Sequence, residues 1–203
     1  LDSPALVTDL VKGRQGPSTR RPGRSEHLSE PSMDSIPTAS GQTGRRTLHT
    51  WLRRWPLLAA LAIFLVSLVV ALGVALPSTD GRLIYSVDDA YIHMAVARTF
   101  ATRGIWGCTP HHFSSSSSSL LYTFVLGVAY RLFQVHDWTP LLLNVAFAIA
   151  ALTIAHASLA RLGAPPLLRA AALVGITVAF PLAGMVLLGM EHVLHVLLTI
   201  AFA

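Results

Sequence analysis

Leu57 to Leu76, LLAALAIFLVSLVVALGVAL, is a run of 20 residues without a charge, and it limits this chain more than any other feature. At about 1.5 Å per residue it makes a helix roughly 30 Å long, the thickness of a bilayer's hydrocarbon core. A secretory signal peptide is the competing reading. The run exceeds the roughly 7 to 15 residues of a signal's apolar region, and the following ALPSTDG is a poor cleavage site. A transmembrane helix is therefore predicted. Composition agrees: 53% of the 203 residues are apolar and 12% charged, outside the range of soluble domains.

The formal charge of +5 does not point to nucleic acid, because nine of the fifteen basic residues precede residue 57 and flank the first apolar run. Arg45, Arg46, Arg53 and Arg54, with Trp51 and Trp55 at the interface, predict a cytoplasmic N-terminus by the positive-inside rule. The single cysteine, Cys108, excludes an intrachain disulfide framework and any cysteine-based zinc site.

Residues 1–50 are rich in Ser, Pro, Gly, Thr and Arg without apolar periodicity, which predicts a disordered cytoplasmic tail. Met33 precedes a short basic leader, so residues 1–32 are expected to be upstream of the natural start. The chain stops at TIAFA inside an apolar run and reads as a fragment. Between these limits, residues 51–203 form the membrane module. Spans are predicted at 57–76, 141–160 and 167–188, with the start of a fourth over 192–203 and an outer loop over 77–139. Leu120 to Phe133 is 14 residues long and contains Arg131, which suits an interfacial or re-entrant helix better than a span. With that helix in the interface, the basic turn RLGAPPLLR, carrying Arg161 and Arg169, faces the cytoplasm. Asp88, Asp89 and Glu191 then share the outer side. The fold class expected is all-α: a polytopic transmembrane helical bundle with amphipathic helices in the first extracytoplasmic loop.

The acidic pair Asp88 and Asp89 opens the stretch DDAYIHMAVARTFATRG. Ser86 followed by Asp89 has capping-box spacing, and acids in a first turn are favoured by the helix dipole. The helix it starts places Ile92, Val96, Thr99 and Phe100 on one face, with Gly104 as a natural stop. Capping accounts for one acid. The second raises the cost of the first unless a cation or an incoming proton is at hand, which makes a general base or a metal ligand the functional alternative.

The run DDAYIHMAVARTFATRGIWGCTPHHFSSSSSSLLYTFVLGVAYRLFQ resembles the first outer loop of polytopic glycosyltransferases of the C superfamily, among them bacterial arabinofuranosyl, mannosyl and aminoarabinose transferases. These show an acidic pair and AYI-like residues after the first span. A helix, a glycine bend, a Ser/Thr-rich turn and a second loop helix follow. GMEH at 189–192 is similar to the Gly-Leu-Glu-Thr-type turn that begins a later span. Tyr122 stands where the family has Trp, and His192 where Thr is commoner.

The resemblance implies transfer of a sugar from a polyprenyl-phosphate donor to an extracytoplasmic glycan, lipid or protein acceptor, in a bacterial inner or plasma membrane. Asp88 would be the general base on the acceptor hydroxyl, Asp89 its partner or a metal or donor contact, and Glu191 a second acidic wall. Substrate contacts are implied for Tyr91, His93, Arg98, Arg103, His111, His112 and His192, and a divalent cation, Mg or Mn, for Asp88 and Asp89. Ser114 to Ser119 is either a flexible connector or a loop ordered around substrate. His111 and His112 bind phosphate or metal, or are solvated. EHVLH at 191–195 reverses the HExxH order of zinc proteases, which excludes that site. A transporter subunit and a non-catalytic membrane assembly protein are the alternatives. The predicted complete spans hold almost no ionisable group apart from His156, which speaks against transport.

Overall fold

The computed structural model describes residues 40–203, with side chains described from residue 54 onward. Of the predicted tail, residues 1–39 lie outside the described residues. Residues 40–50 belong to a helix, contrary to expectation: α1 runs from Ser40 to Ala75. Once the apolar run has nucleated the helix, each further residue adds a hydrogen bond, which carries it back through the basic segment despite Gly41 and Gly44.

All regular structure among the described residues is helical. A 3₁₀ turn at Pro77–Thr79 ends α1, and α2 follows at Asp88–Arg103, α3 at Leu120–Phe133, α4 at Thr139–Arg161, α5 at Pro166–Ala179, α6 at Leu182–Leu187 and α7 at His192–Phe202. Two segments are long and apolar enough to cross a membrane, Arg54–Thr79 and Thr139–Arg161. The predicted span over 167–188 is not one helix. It is α5 of 14 residues and α6 of six, broken at Phe180 and Pro181. Pro181 has no N–H for the carbonyl of Thr177, and its ring excludes Phe180 from the helical region; Phe180 adopts φ −99°, ψ 35°. At about 1.5 Å per residue, α5 alone covers roughly 20 Å, short of the hydrocarbon core.

Ala60, Phe64 and Leu68, four residues apart on α1, form the main core with Leu141, Ala148, Leu152 and Ala155 of α4, Leu173 of α5, Val186 of α6 and Val193 of α7. Alanines at the contact points let the helices approach closely. The opposite face of α1 is bare: Val66, Val69, Val70 and Val74 are each about 60 to 70% exposed. A soluble protein's core helix would have these covered; a contiguous valine face fits contact with acyl chains.

A second core, Ala97 and Ala101 of α2 with Tyr122, Leu126 and Tyr130 of α3, joins those two helices into a hairpin and reaches Leu194 of α7. Ala90, at the start of α2, packs with Tyr85 and Met190. That contact brings the acidic end of α2 against the turn that precedes α7.

Candidate functional site

The site begins with a turn that only glycine can make. Gly189 has φ +71°, and a Cβ there would run into the Tyr85 ring. Two side chains from other helices fix this turn. The Tyr122 hydroxyl of α3 donates to the Gly189 carbonyl at 2.8 Å, and Asn144 Nδ2 of α4 donates to the Met190 carbonyl at 3.0 Å. Glu191 follows as the N-cap residue of α7 and is 6% exposed.

A carboxylate this buried needs a partner. Glu191 finds His93, 98 positions earlier in the chain and 1% exposed: Nε2 lies 3.1 Å from Oε2. Ser118 Oγ donates to Oε1 at 3.2 Å. The other face of the imidazole is held by hydroxyls, with Nδ1 2.8 Å from Thr123 Oγ1 and 3.0 Å from Ser117 Oγ. Those two hydroxyls are themselves 2.6 Å apart, and the His93 ring stands edge-on to Tyr122 with centroids 5.5 Å apart. Burial pushes the Glu191 carboxyl up. Its own backbone N–H, His93, the Ser118 hydroxyl and His192 outweigh that and hold it below the usual value.

Hydroxyl, imidazole and carboxylate in a row suggest a nucleophile triad. The surroundings argue otherwise, because His93 and Thr123 are 1% and 0% exposed and Ser117 Oγ already donates to the Ser119 carbonyl. The arrangement holds Glu191 ionised and oriented. It also shows the second half of the serine run ordered on the site: Ser117 and Ser118 bond His93 and Glu191, so this stretch is more than a connector.

Asp88 and Asp89 lie in the first turn of α2, both exposed and neither in an ion pair among the described residues. The capping box does not form. Val87 is the N-cap residue, without a side-chain cap bond, so both acids sit inside the helix, where its dipole favours them. Asp89 precedes His93 by four residues and shares its side of α2. The His93–Glu191 pair, and the cluster that Ala90 shares with Tyr85 and Met190, put this turn near the one bearing Glu191. Adjacent residues in a helix leave it about 100° apart, so the two carboxylates leave α2 in different directions. Among the described residues no group of three or more His, Cys, Asp or Glu side chains could hold a metal ion.

The remaining expected residues are spread more widely. Tyr91 is 42% exposed; its hydroxyl accepts from the Tyr85 N–H at 3.0 Å. With Arg82, Tyr85, Asp137 and Trp138 it lines a cleft of about 570 Å³. The Tyr85 hydroxyl donates to the Asp137 carbonyl at 2.7 Å, and burial pushes its pKa well up. Arg98 and Arg103 line a different cleft with Thr99 and Cys108, on the side of α2 turned away from His93. His111 and His112 are exposed in the loop, ring centroids 6.3 Å apart. His192 is exposed at the start of α7, beside Glu191. Thus the structure joins His93 to Glu191 and sets Asp88, Asp89, Tyr91 and His192 around that end of α2. Arg103 lies at the opposite end, about 20 Å along the helix.

Sequence reasoning left Ser117 and Ser118 open, within a run that was either connector or substrate loop, and did not find Thr123 and Asn144. Their signal was slight: short polar side chains at the edge of, or inside, apolar helices. Compared with known proteins, the chain matches no family model, no curated protein and no solved structure.

Proposed function

We propose that this chain carries the acidic site of a membrane glycosyltransferase that moves a sugar from a polyprenyl-phosphate donor to an extracytoplasmic acceptor. The observation that carries the reading is the placing of two exposed aspartates, in no ion pair among the described residues, near a buried carboxylate that its own backbone N–H, His93 and Ser118 favour in the ionised form. A sugar hydroxyl is a weak nucleophile, and a positioned carboxylate that takes its proton as the bond forms contributes about 10² to 10⁴-fold. Asp88 is that base in this reading, with Asp89 next to it in the helix. Glu191 supplies a fixed acidic wall behind them. Tyr91, Trp138 and Asp137 offer an acceptor sugar an aromatic face and a polar group in one cleft. His192, exposed at the start of α7, is the imidazole at this end of α2 that can donate a hydrogen bond to the departing phosphate.

The test is Asp88→Asn in the membrane-inserted protein, assayed with a panel of polyprenyl-phosphate sugars. At least a hundredfold loss of transfer with unchanged insertion is expected. Wild-type turnover in this variant refutes the assignment.

A transport subunit is the second reading, favoured by the break between α5 and α6, since interrupted helices mark many transporter binding sites. The cleft near that break, about 380 Å³, is lined by Ile176, Phe180, Val196 and Ile200 with His195 and Thr199. That lining offers an ion little coordination, which favours the transferase.

A further inference from the structure

The α2–α3 hairpin carries a feature that the acidic site does not use. α3 turns Leu121, Phe124, Val128 and Leu132 outward, spaced by three and four residues, with Leu132 68% exposed. Beside this stripe runs a groove of about 530 Å³ between α3 and the last turn of α2, floored by Phe100, Phe124, Val128 and Leu132 and rimmed by Arg103 and Arg131. The groove is narrow at its centre because Gly127 lets α3 close on α2. A Cβ there would stand 2.9 Å from Phe100.

Arg131 is pinned across the groove's end, with Nη1 donating to the Ala101 carbonyl at 3.5 Å, and keeps its other N–H groups for a ligand. Among the described residues no carboxylate pairs with either guanidinium, and the acids of α2 are all at its far end. Two unpaired guanidiniums over an apolar channel match one chemistry: a phosphate joined to hydrocarbon. Arginine forms bidentate bonds to phosphate oxygens, and the channel removes a chain's surface from water.

We infer that Arg103, Arg131 and the groove between them bind an anionic glycerophospholipid of the bilayer, its phosphate on the guanidiniums and one acyl chain along Phe124 and Val128. Sugar transfer plays no part in the inference. It rests on the chain lying in a membrane, which a carbonate wash reports separately.

The whole chain, reconstituted in nanodiscs of phosphatidylcholine containing a minor share of phosphatidylglycerol, is analysed for lipids that stay bound on native mass spectrometry. Wild type retains phosphatidylglycerol over phosphatidylcholine by about tenfold beyond its share. Arg103→Gln/Arg131→Gln loses that preference, Arg103→Lys/Arg131→Lys keeps part of it, and Arg161→Gln, outside the groove, keeps all of it. Equal retention of the two lipids by wild type overturns the proposal, as does a groove that crosslinks to a second copy of the chain. Release of the wild-type chain by alkaline carbonate overturns it together with the membrane reading. Should the glutamine pair fail to insert, the lysine pair and wild type decide alone: no preference in wild type, or a lysine pair that binds phosphatidylcholine equally well, refutes it.

Discussion

Glu191 and His93 show how one residue's environment sets its role. A buried carboxylate is tolerated because an imidazole, a serine hydroxyl and its own backbone N–H oppose the cost of desolvation. Its folded pKa lies below the usual 4.5, so ionised Glu191 stabilises the fold above that value, and the contribution is lost as pH falls through the folded pKa. Thermal melting in detergent should therefore drop on acidification below about pH 4.5 in wild type and less so in Glu191→Gln. At neutral pH that variant should be less stable by about 1 to 3 kcal/mol, because the buried His93 loses its anionic partner. An unchanged acid limb in Glu191→Gln would refute this account. None of this pairing was legible in sequence. The partners lie 98 positions apart, and no local pattern links residues so distant.

Among the elements, α2, α3 and α4 follow the sequence closely, since each is defined by short-range signals. α2 starts at the acidic pair and stops at Gly104, whose φ of 70° suits a left-handed cap, and α3 covers the 14 residues expected of it. Hydropathy over 167–188 concealed the break at Pro181, although the proline was in plain view: an apolar window reports partition into lipid, and backbone donors do not enter it. The Ser86–Asp89 pattern failed for a similar reason, since capping depends on which residue the packing of Ala90 makes the first helical one. Pro181→Ala restores an N–H and should join α5 to α6. Hydrogen exchange at residues 178–184 should then slow by tenfold or more, and unchanged exchange would show that packing imposes the break.

For the whole molecule the sequence conveyed the broad class and the structure the coarse outcome: helices throughout the described residues, two of them able to cross a membrane. Arginine placement predicts which side each loop faces, and the chain carries its own reporter. Cys108 is its single cysteine and is exposed in the loop between α2 and α3. A membrane-impermeant maleimide added to intact cells should label it fully without permeabilisation. Labelling confined to opened cells would place the acidic end of α2 in the cytosol and end the proposed reaction. How the bundle associates its helices escaped the sequence, because contacts such as Ala60, Ala148 and Ala183 depend on small size, which composition does not distinguish from filler.

Tyr122 binds the Gly189 carbonyl from a helix whose outer side is greasy, and Asn144 holds the next carbonyl from a helix long enough to cross. The turn that carries Glu191 is thereby tied to two helices at once, so neither can shift along its axis without dragging the buried carboxylate off His93.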